Sequence, residues 1–358
     1  MKNTFRRVLV TGGAGFVGSS LALGLRAELP ELSVVVLDNL KRRGSELNVQ
    51  RLRDAGCEFV HGDIRVTEDI EAVGEADLVI ECSAEPSVLA GYSSSPAYLV
   101  QTNLMGTVNC LEYARKHGAG MIFLSTSRVY PIETINRLKY SEQPTRFVLE
   151  SAQDITGISP DGIREDFPIA GARSLYGATK LCSELLIAEY ASAYGLRAVI
   201  NRCGVIAGPW QMGKVDQGVV VLWVARHIFG GALSYIGYGG TGKQVRDVLH
   251  IDDLLDLILR EIYRLDDFKG MTFNAGGGLD SSASLCELTA ICEKVTGKQI
   301  PIGNEPKERP GDLRWYVTDN QFVTEHTGWA PARNAQKVVE DVAVWIDANA
   351  DLLRPLLG

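Results

Sequence analysis

Six short apolar runs divide the first two hundred residues: Val8-Leu-Val10, Val34-Val-Val-Leu37, Phe59-Val60, Leu78-Val-Ile80, Met121-Ile-Phe-Leu124 and Ala198-Val-Ile200. Amphipathic segments lie between them, among them Ala97 to His117 and Tyr176 to Tyr194. Short uninterrupted apolar runs suit strands covered on both faces, and parallel neighbours need a long, usually helical, crossover. The alternation therefore predicts an α/β fold with a doubly wound parallel sheet. After about residue 205 the alternation weakens and glycine rises, in Gly237-Tyr-Gly-Gly-Thr-Gly242 and Gly276-Gly-Gly278. This predicts a smaller second domain. The expected division is 1–204 and 205–358, with part of 243–275 returning to the first domain. Residues 131–172 are polar, rich in proline and glycine, and show no clear strand. Such a long insert is expected to serve as a lid, because it leaves the chain near Thr126 and re-enters near Tyr176.

The first strand runs into Val10-Thr-Gly-Gly-Ala-Gly-Phe-Val-Gly18, which opens a helix. Its glycines Gly12, Gly15 and Gly18 permit a tight turn and let a pyrophosphate reach backbone N–H groups, while the helix N-terminus favours the negative charge. Alone, a glycine-rich turn is a weak signal. Asp38 strengthens it, for it closes the second strand twenty positions after Gly18. An acid there accepts hydrogen bonds from a ribose 2′-hydroxyl and repels a 2′-phosphate, so NAD is favoured over NADP. His61-Gly-Asp-Ile64 closes the third strand, where an adenine is expected.

The fifth run ends in Ser125-Thr-Ser-Arg-Val-Tyr130. Hydroxyls at a strand's carboxyl end stand where active sites of open α/β sheets lie. Tyr176-Gly-Ala-Thr-Lys180 then places a phenol and an ammonium four residues apart, on one helix face. A positive charge beside a phenol lowers its pKa from about 10. Tyr176 is thus a candidate acid and base for a sugar hydroxyl. Either pattern alone arises by chance; glycine loop, acid, hydroxyls and Tyr-Lys pair together do not suit a mere helix surface.

In these residues the chain resembles an extended short-chain dehydrogenase/reductase acting on nucleotide sugars, with a Rossmann domain and a smaller C-terminal substrate domain. Further stretches carry the resemblance: Thr102-Asn-Leu-Met-Gly-Thr107, Asn201-Arg202, Arg246-Asp247 with His250-Ile-Asp-Asp253, Phe273-Asn274 and Arg309-Pro-Gly-Asp312. The resemblance implies a catalytic set of Thr126 with Ser125, Tyr176 and Lys180. It implies that NAD, held tightly and recycled, lies along Gly12, Gly15, Phe16, Val17, Asp38 and Asn39. The cofactor then passes Asp63, Ile64 and Ser83 and reaches Asn103, Ser125, Tyr176, Lys180, Cys203 and Val205. The 4,6-dehydratases of this family carry Thr-Asp-Glu at the strand end, whereas this chain has Thr126-Ser127-Arg128. Elimination lacks its acid and base here, and epimerisation through a keto sugar remains.

The run Ser125 to Tyr130, Met212-Gly-Lys-Val-Asp-Gln-Gly218 and Gly242-Lys-Gln-Val-Arg-Asp-Val-Leu-His250 are more similar to the CDP-paratose 2-epimerases. That implies a CDP-paratose or related CDP-hexose substrate such as CDP-glucose. A UDP-glucose-type 4-epimerase is the alternative; a 4,6-dehydratase and a non-catalytic NAD sensor rank below it. Departures are Ser127-Arg128, Pro131 and the unusual Glu81-Cys-Ser-Ala-Glu-Pro86. Expected substrate contacts are Glu85, Ser127, Arg128, Asn201, Gln211, Lys214, Gln217, Arg246 and Arg309, the last two arginines as clamps for a diphosphate.

With a net charge of −8 and no basic block, no nucleic-acid partner is expected. No apolar run reaches the roughly 18 residues of a membrane span. The five histidines are isolated, so no metal is expected. Seven scattered cysteines without C-x-x-C, and no signal-peptide pattern, point to a reducing cytoplasm. The resemblance implies a homodimer, or a tetramer built from it, through the helices around 97–117 and from Tyr176.

Overall fold

The structure is a computed structural model that describes residues 5–92, 94–213 and 217–358. Seven parallel strands form the central sheet: β1 (Arg7–Thr11), β2 (Ser33–Asp38), β3 (Glu58–His61), β4 (Leu78–Glu81), β5 (Gly120–Thr126), β6 (Ala198–Cys203) and β7 (Thr272–Ala275). Their order is β3-β2-β1-β4-β5-β6-β7. All six apolar runs are strands, and β7, around Phe273-Asn274, adds the seventh.

Alternation along each strand serves two layers. Val8, Val10, Val34, Val36, Ile80 and Ile122 pack with α1 (Phe16–Glu28), through Leu21 and Leu25, and with Leu254 and Leu257 of a later helix. Leu9, Val35, Leu37, Val79, Met121 and Phe123 pack on the opposite side with α2 (Gly106–His117) and α3 (Leu175–Tyr194), through Leu111, Ala114 and Ile187. Both faces are dry, as a parallel sheet requires. Strand order reverses beside β1, where β1 pairs with both β2 and β4, and ligands bind at the carboxyl edge of such a point.

A second core gathers α4 (Val219–Phe229), α6 (Leu285–Thr296) and α7 (Ala335–Ala348), with α5 (Ile251–Tyr263) returning to the main sheet. A small sheet of Val205–Ala207, Val245–His250, Ser282–Ser284 and Trp315–Tyr316 lies against it. A capping box starts α6: Ser284 Oγ accepts from Glu287 N at 3.1 Å and Glu287 Oε2 from Ser284 N at 2.9 Å.

The insert differs from expectation. It forms a short helix (Ile132–Asn136) and two hairpins, Tyr140–Glu142 with Phe147–Leu149 and Ile158–Ser159 with Gly162–Ile163. Ile135, Leu138, Ile163 and Phe167 are buried with Trp315, Tyr316 and Val317 in a core of their own. The few apolar side chains of this polar stretch suffice to dock it. Among the described residues no helix is long and apolar enough to cross a membrane.

Behind β6, Asn201 Nδ2 donates to Glu261 Oε2 of α5 at 2.9 Å, and Glu261 Oε1 is buried without a hydrogen-bond partner among the described residues. Burial pushes this carboxyl up to about 8. The folded chain keeps a proton that the unfolded chain loses from its ordinary value of 4.5, so stability is full below that value and falls as pH rises toward 8. Glu261→Gln is expected to raise the denaturation midpoint at pH 9 and to change it little at pH 5. Each pH unit between the folded and unfolded ionisation midpoints is worth about 1.4 kcal/mol, which bounds the gain. Urea melts at the two pH values check this.

Candidate active site

The turn after β1 is built for close approach. Gly12 has φ +60°, and a Cβ there would lie 2.9 Å from Ser83 Cα on the loop after β4. A Cβ on Gly18 would meet Gly12 O at 2.3 Å, so glycine is needed to pack α1 against its own turn. Gly15 caps α1 without a side-chain hydrogen bond, which leaves the first-turn amides facing a cavity of about 640 Å³.

Asp38, Asn39, Asp63, Ile64 and Ser83 line one end of that cavity beside Gly12, Gly15, Phe16 and Val17. Asp38 Oδ2 accepts from Ala14 N at 3.0 Å and Oδ1 from Leu40 N at 2.7 Å. Burial pushes its carboxyl up, against these hydrogen bonds. Asn39 Nδ2 donates to Asp63 Oδ2 at 2.8 Å. Burial pushes Asp63 up, but bonds from Arg65 and Asn39 prevail and hold it near 2. This glycine cradle, open helix terminus and carboxylate fit a dinucleotide with an unphosphorylated ribose.

Ser125, Thr126, Tyr176, Lys180, Cys203 and Val205 line the other end. The Thr126 hydroxyl is hydrogen-bonded to the Tyr176 phenol. Tyr176 and Lys180 line the same end of the cavity. Burial pushes the phenol up to about 12, opposed by the Thr126 bond and by Arg128, the nearby cation. Lys180 lies 4.2 Å above the Phe123 ring and faces Glu81.

Ser125 Oγ donates to Glu184 Oε1 at 2.5 Å, and Arg202 grips the same carboxylate with Nη2 at 2.7 Å from Oε2. The serine hydroxyl thus belongs to a buried ion pair, whereas the threonine hydroxyl belongs to the tyrosine. Asn103 is fully buried and holds the loop after β4: its Oδ1 accepts from Glu85 N at 2.7 Å and its Nδ2 donates to Glu85 O at 3.1 Å. It does not line the cavity. Asn201, expected on the sugar, is turned to Glu261 behind the sheet and lines neither cavity. Burial of a carboxyl on α5 claims its amide.

A second cavity of about 470 Å³ shares Val88, Arg128, Val205, Gln217 and Gly218 with the first. Arg246 and Arg309 line it, opposite Leu222 and Trp223 of α4. Arg246 Nη2 donates to Asp312 Oδ1 at 2.9 Å. Arg128 sits at the junction, donating from Nη1 to Gly311 O at 3.0 Å; burial, and then Arg246, lower its pKa to about 10, which leaves it charged. Glu85, Ser127 and Gln211 line the first cavity. Gln217 accepts from Arg42, which also donates to Met212 O at 3.1 Å. Lys214 lies outside the described residues. No described residue of 131–172 lines either cavity. The insert acts from behind: Asn136 donates to Asp312 O at 3.1 Å and accepts from Arg314 N at 2.9 Å.

The expectations missed Glu81, Glu184 and Met212. Only Glu81 left a signal, as a carboxylate ending an apolar run. Among the described residues no cluster of histidine, cysteine or carboxylate could hold a metal.

The sequence profile of the NAD dependent epimerase/dehydratase family matches residues 8–276. A CDP-paratose 2-epimerase of Salmonella typhi is 31% identical over 346 residues, 95% of this chain and 98% of that protein. A dTDP-glucose 4,6-dehydratase of Mycolicibacterium smegmatis is 29% identical, over 98% of this chain and 96% of its own. Among solved structures, a Thermus thermophilus UDP-glucose 4-epimerase in complex with NAD superimposes with a TM-score of 0.77 at 26% identity, covering 95% of this chain and 99% of the other. This chain belongs to the NAD dependent epimerase/dehydratase family and is an NAD-dependent enzyme of the extended short-chain dehydrogenase/reductase class.

Proposed function

We propose that the enzyme epimerises a CDP-linked sugar at C2, with CDP-paratose or a related CDP-hexose such as CDP-glucose as substrate. The observation that carries this reading is the end of β5. Where elimination needs an acid and a base, Thr126 is followed by Ser127 and a charged, half-buried Arg128. The 31% identity to a CDP-paratose 2-epimerase supports the choice of sugar.

Gly12, Gly15 and Asp38 would hold NAD, which when bound supplies a hydride acceptor and, after its reduction, a donor. Tyr176 removes the proton from a sugar hydroxyl and later returns it to the same oxygen. The Thr126 hydrogen bond favours the ionised phenol for that task. Lys180, at the same end of the cavity, would add a positive charge that favours it further. Arg246 and Arg309 hold the diphosphate as a pivot while the keto sugar turns between the two joined cavities. Residues 1–204 serve the cofactor in this scheme, and most of 205–358 the nucleotide sugar.

Tyr176→Phe is expected to lose about 10²- to 10⁴-fold in turnover while its NAD content stays that of the parent. Unchanged turnover would sink the mechanism. Incubation with CDP-glucose or CDP-paratose in D2O, without added NAD and followed by proton NMR, is expected to show inversion at C2 with no deuterium gained. Inversion at C4 would transfer the protein to the 4-epimerases; deuterium at the inverted carbon would mean proton abstraction from carbon.

We also propose that the enzyme is a homodimer joined through α2 and α3. Met105, Leu185 and Tyr194 are 41%, 58% and 61% exposed there, whereas Leu186 and Tyr190 pack inward. Leu185→Glu is expected to convert the dimer to monomers in light scattering.

A further inference from the structure

We propose that Glu81 is a positioning residue that sets the place and the charge of the Lys180 ammonium. Glu81 closes β4 and is fully buried, with the cofactor cavity beginning at its neighbours Cys82 and Ser83. One oxygen is held: Oε1 lies 2.9 Å from Thr107 Oγ1 on α2. The other, Oε2, is buried without a hydrogen-bond partner among the described residues. An oxygen left that way destabilises the fold unless something charged faces it. Lys180, 2% exposed, is the charge nearest in the fold: Glu81 is paired in register with Phe123 of β5, and the Lys180 ammonium stands 4.2 Å over that same Phe123 ring.

The neighbours leave Glu81 alone in this role. Four other groups face the pair. Cys82, Cys110 beside Glu81, and Cys203 are thiols that burial pushes above their usual range, so they stay neutral. Glu184, from α3, already accepts from Ser125 and is gripped by Arg202. The carboxylate whose charge is not spent elsewhere is Glu81. Burial pushes it up to about 7, with Lys180 and Thr107 holding it down. Burial in turn pushes Lys180 down, with Glu81 the first to oppose it.

Thr107 makes the arrangement responsive. Its hydroxyl has one proton and stands 2.9 Å from both Glu81 Oε1 and Asn103 O. When Glu81 is ionised the hydroxyl donates to it; when Glu81 is protonated the carboxyl donates to Thr107, which turns its proton to Asn103. Either state is satisfied at Oε1, so the carboxyl can change charge without breaking the α2 contact. Asn103 also fixes the Glu85 loop, which ties the charge state at the foot of β4 to the cavity wall above it.

This inference rests on Lys180 serving the proposed reaction, but its test does not use turnover. Protein labelled with [ε-13C]lysine is titrated by NMR, and Lys180→Met assigns the resonance. In Glu81→Gln, which preserves size and the Thr107 contact, the Lys180 midpoint is expected to fall by about one pH unit or more, and NAD affinity to decline from correspondingly lower pH. An unmoved midpoint in a folded Glu81→Gln protein overturns the proposal. Should that variant not fold, Thr107→Val withdraws the hydrogen bond that favours the ionised carboxyl and is expected to move the midpoint in the same direction; no movement there overturns it equally. If the midpoint moves while no nucleotide sugar is turned over, the pairing stands and the functional reading fails.

Discussion

The site depends on one contact between two backbones. Gly12, in the turn after β1, comes so near Ser83, after β4, that no side chain fits between them. That approach is possible because β1 and β4 pair in register through Thr11 and Glu81, which sends both loops off the same edge. The cofactor groove is the seam between the loops. Its floor is backbone, which is why its chemistry is written in glycines and in the amides of α1. Of the groups at its far end, Thr126 comes from the next strand, β5, and Tyr176 and Lys180 come from α3.

Around that seam the protein keeps several charges out of water, and their fates differ with their partners. Glu184 is neutralised by Arg202 in a geometry with three N–H contacts at 2.7 to 3.2 Å. It holds Ser125 as a strut. Glu261 has only an amide, and burial wins. Glu81 lies between these limits, with a hydroxyl and a cation at a distance. Groups fully paired serve rigidity, and groups half paired retain a titration near neutrality.

Much of this was legible in the sequence, for definite reasons. Apolar runs of strand length reveal a parallel sheet because both faces must be dry, and the glycines reveal the groove because sterics admit nothing else. Side-chain aim was harder to read. Asn201 and Cys203 share a face of β6, yet α5 covers the first and the strand end exposes the second to the cavity. Ser125 and Thr126 are adjacent hydroxyls, and only the register with Arg202 and Cys203 separates strut from tyrosine partner. The insert reads as loop because its strands have two or three residues each, too few for a period. What docks it is distant Trp315 and Tyr316, which no local pattern announces.

Arg128 shows how a substitution at one strand end bears on the reaction available. A carboxylate there offers a second proton acceptor beside the tyrosine; a guanidinium that burial lowers only to about 10 offers none at neutral pH. It offers instead a fixed positive charge between the two cavities, next to the phenol whose ionised form it favours. Chemistry confined to one oxygen, in which the proton leaves and returns by the same phenol, is served by such a charge. Chemistry that expels a group from a neighbouring carbon needs a proton delivered at a second atom. Arg128 keeps its protons at neutral pH, and the same cation donates to Gly311 O, on the stretch whose Arg309 and Asp312 line the second cavity.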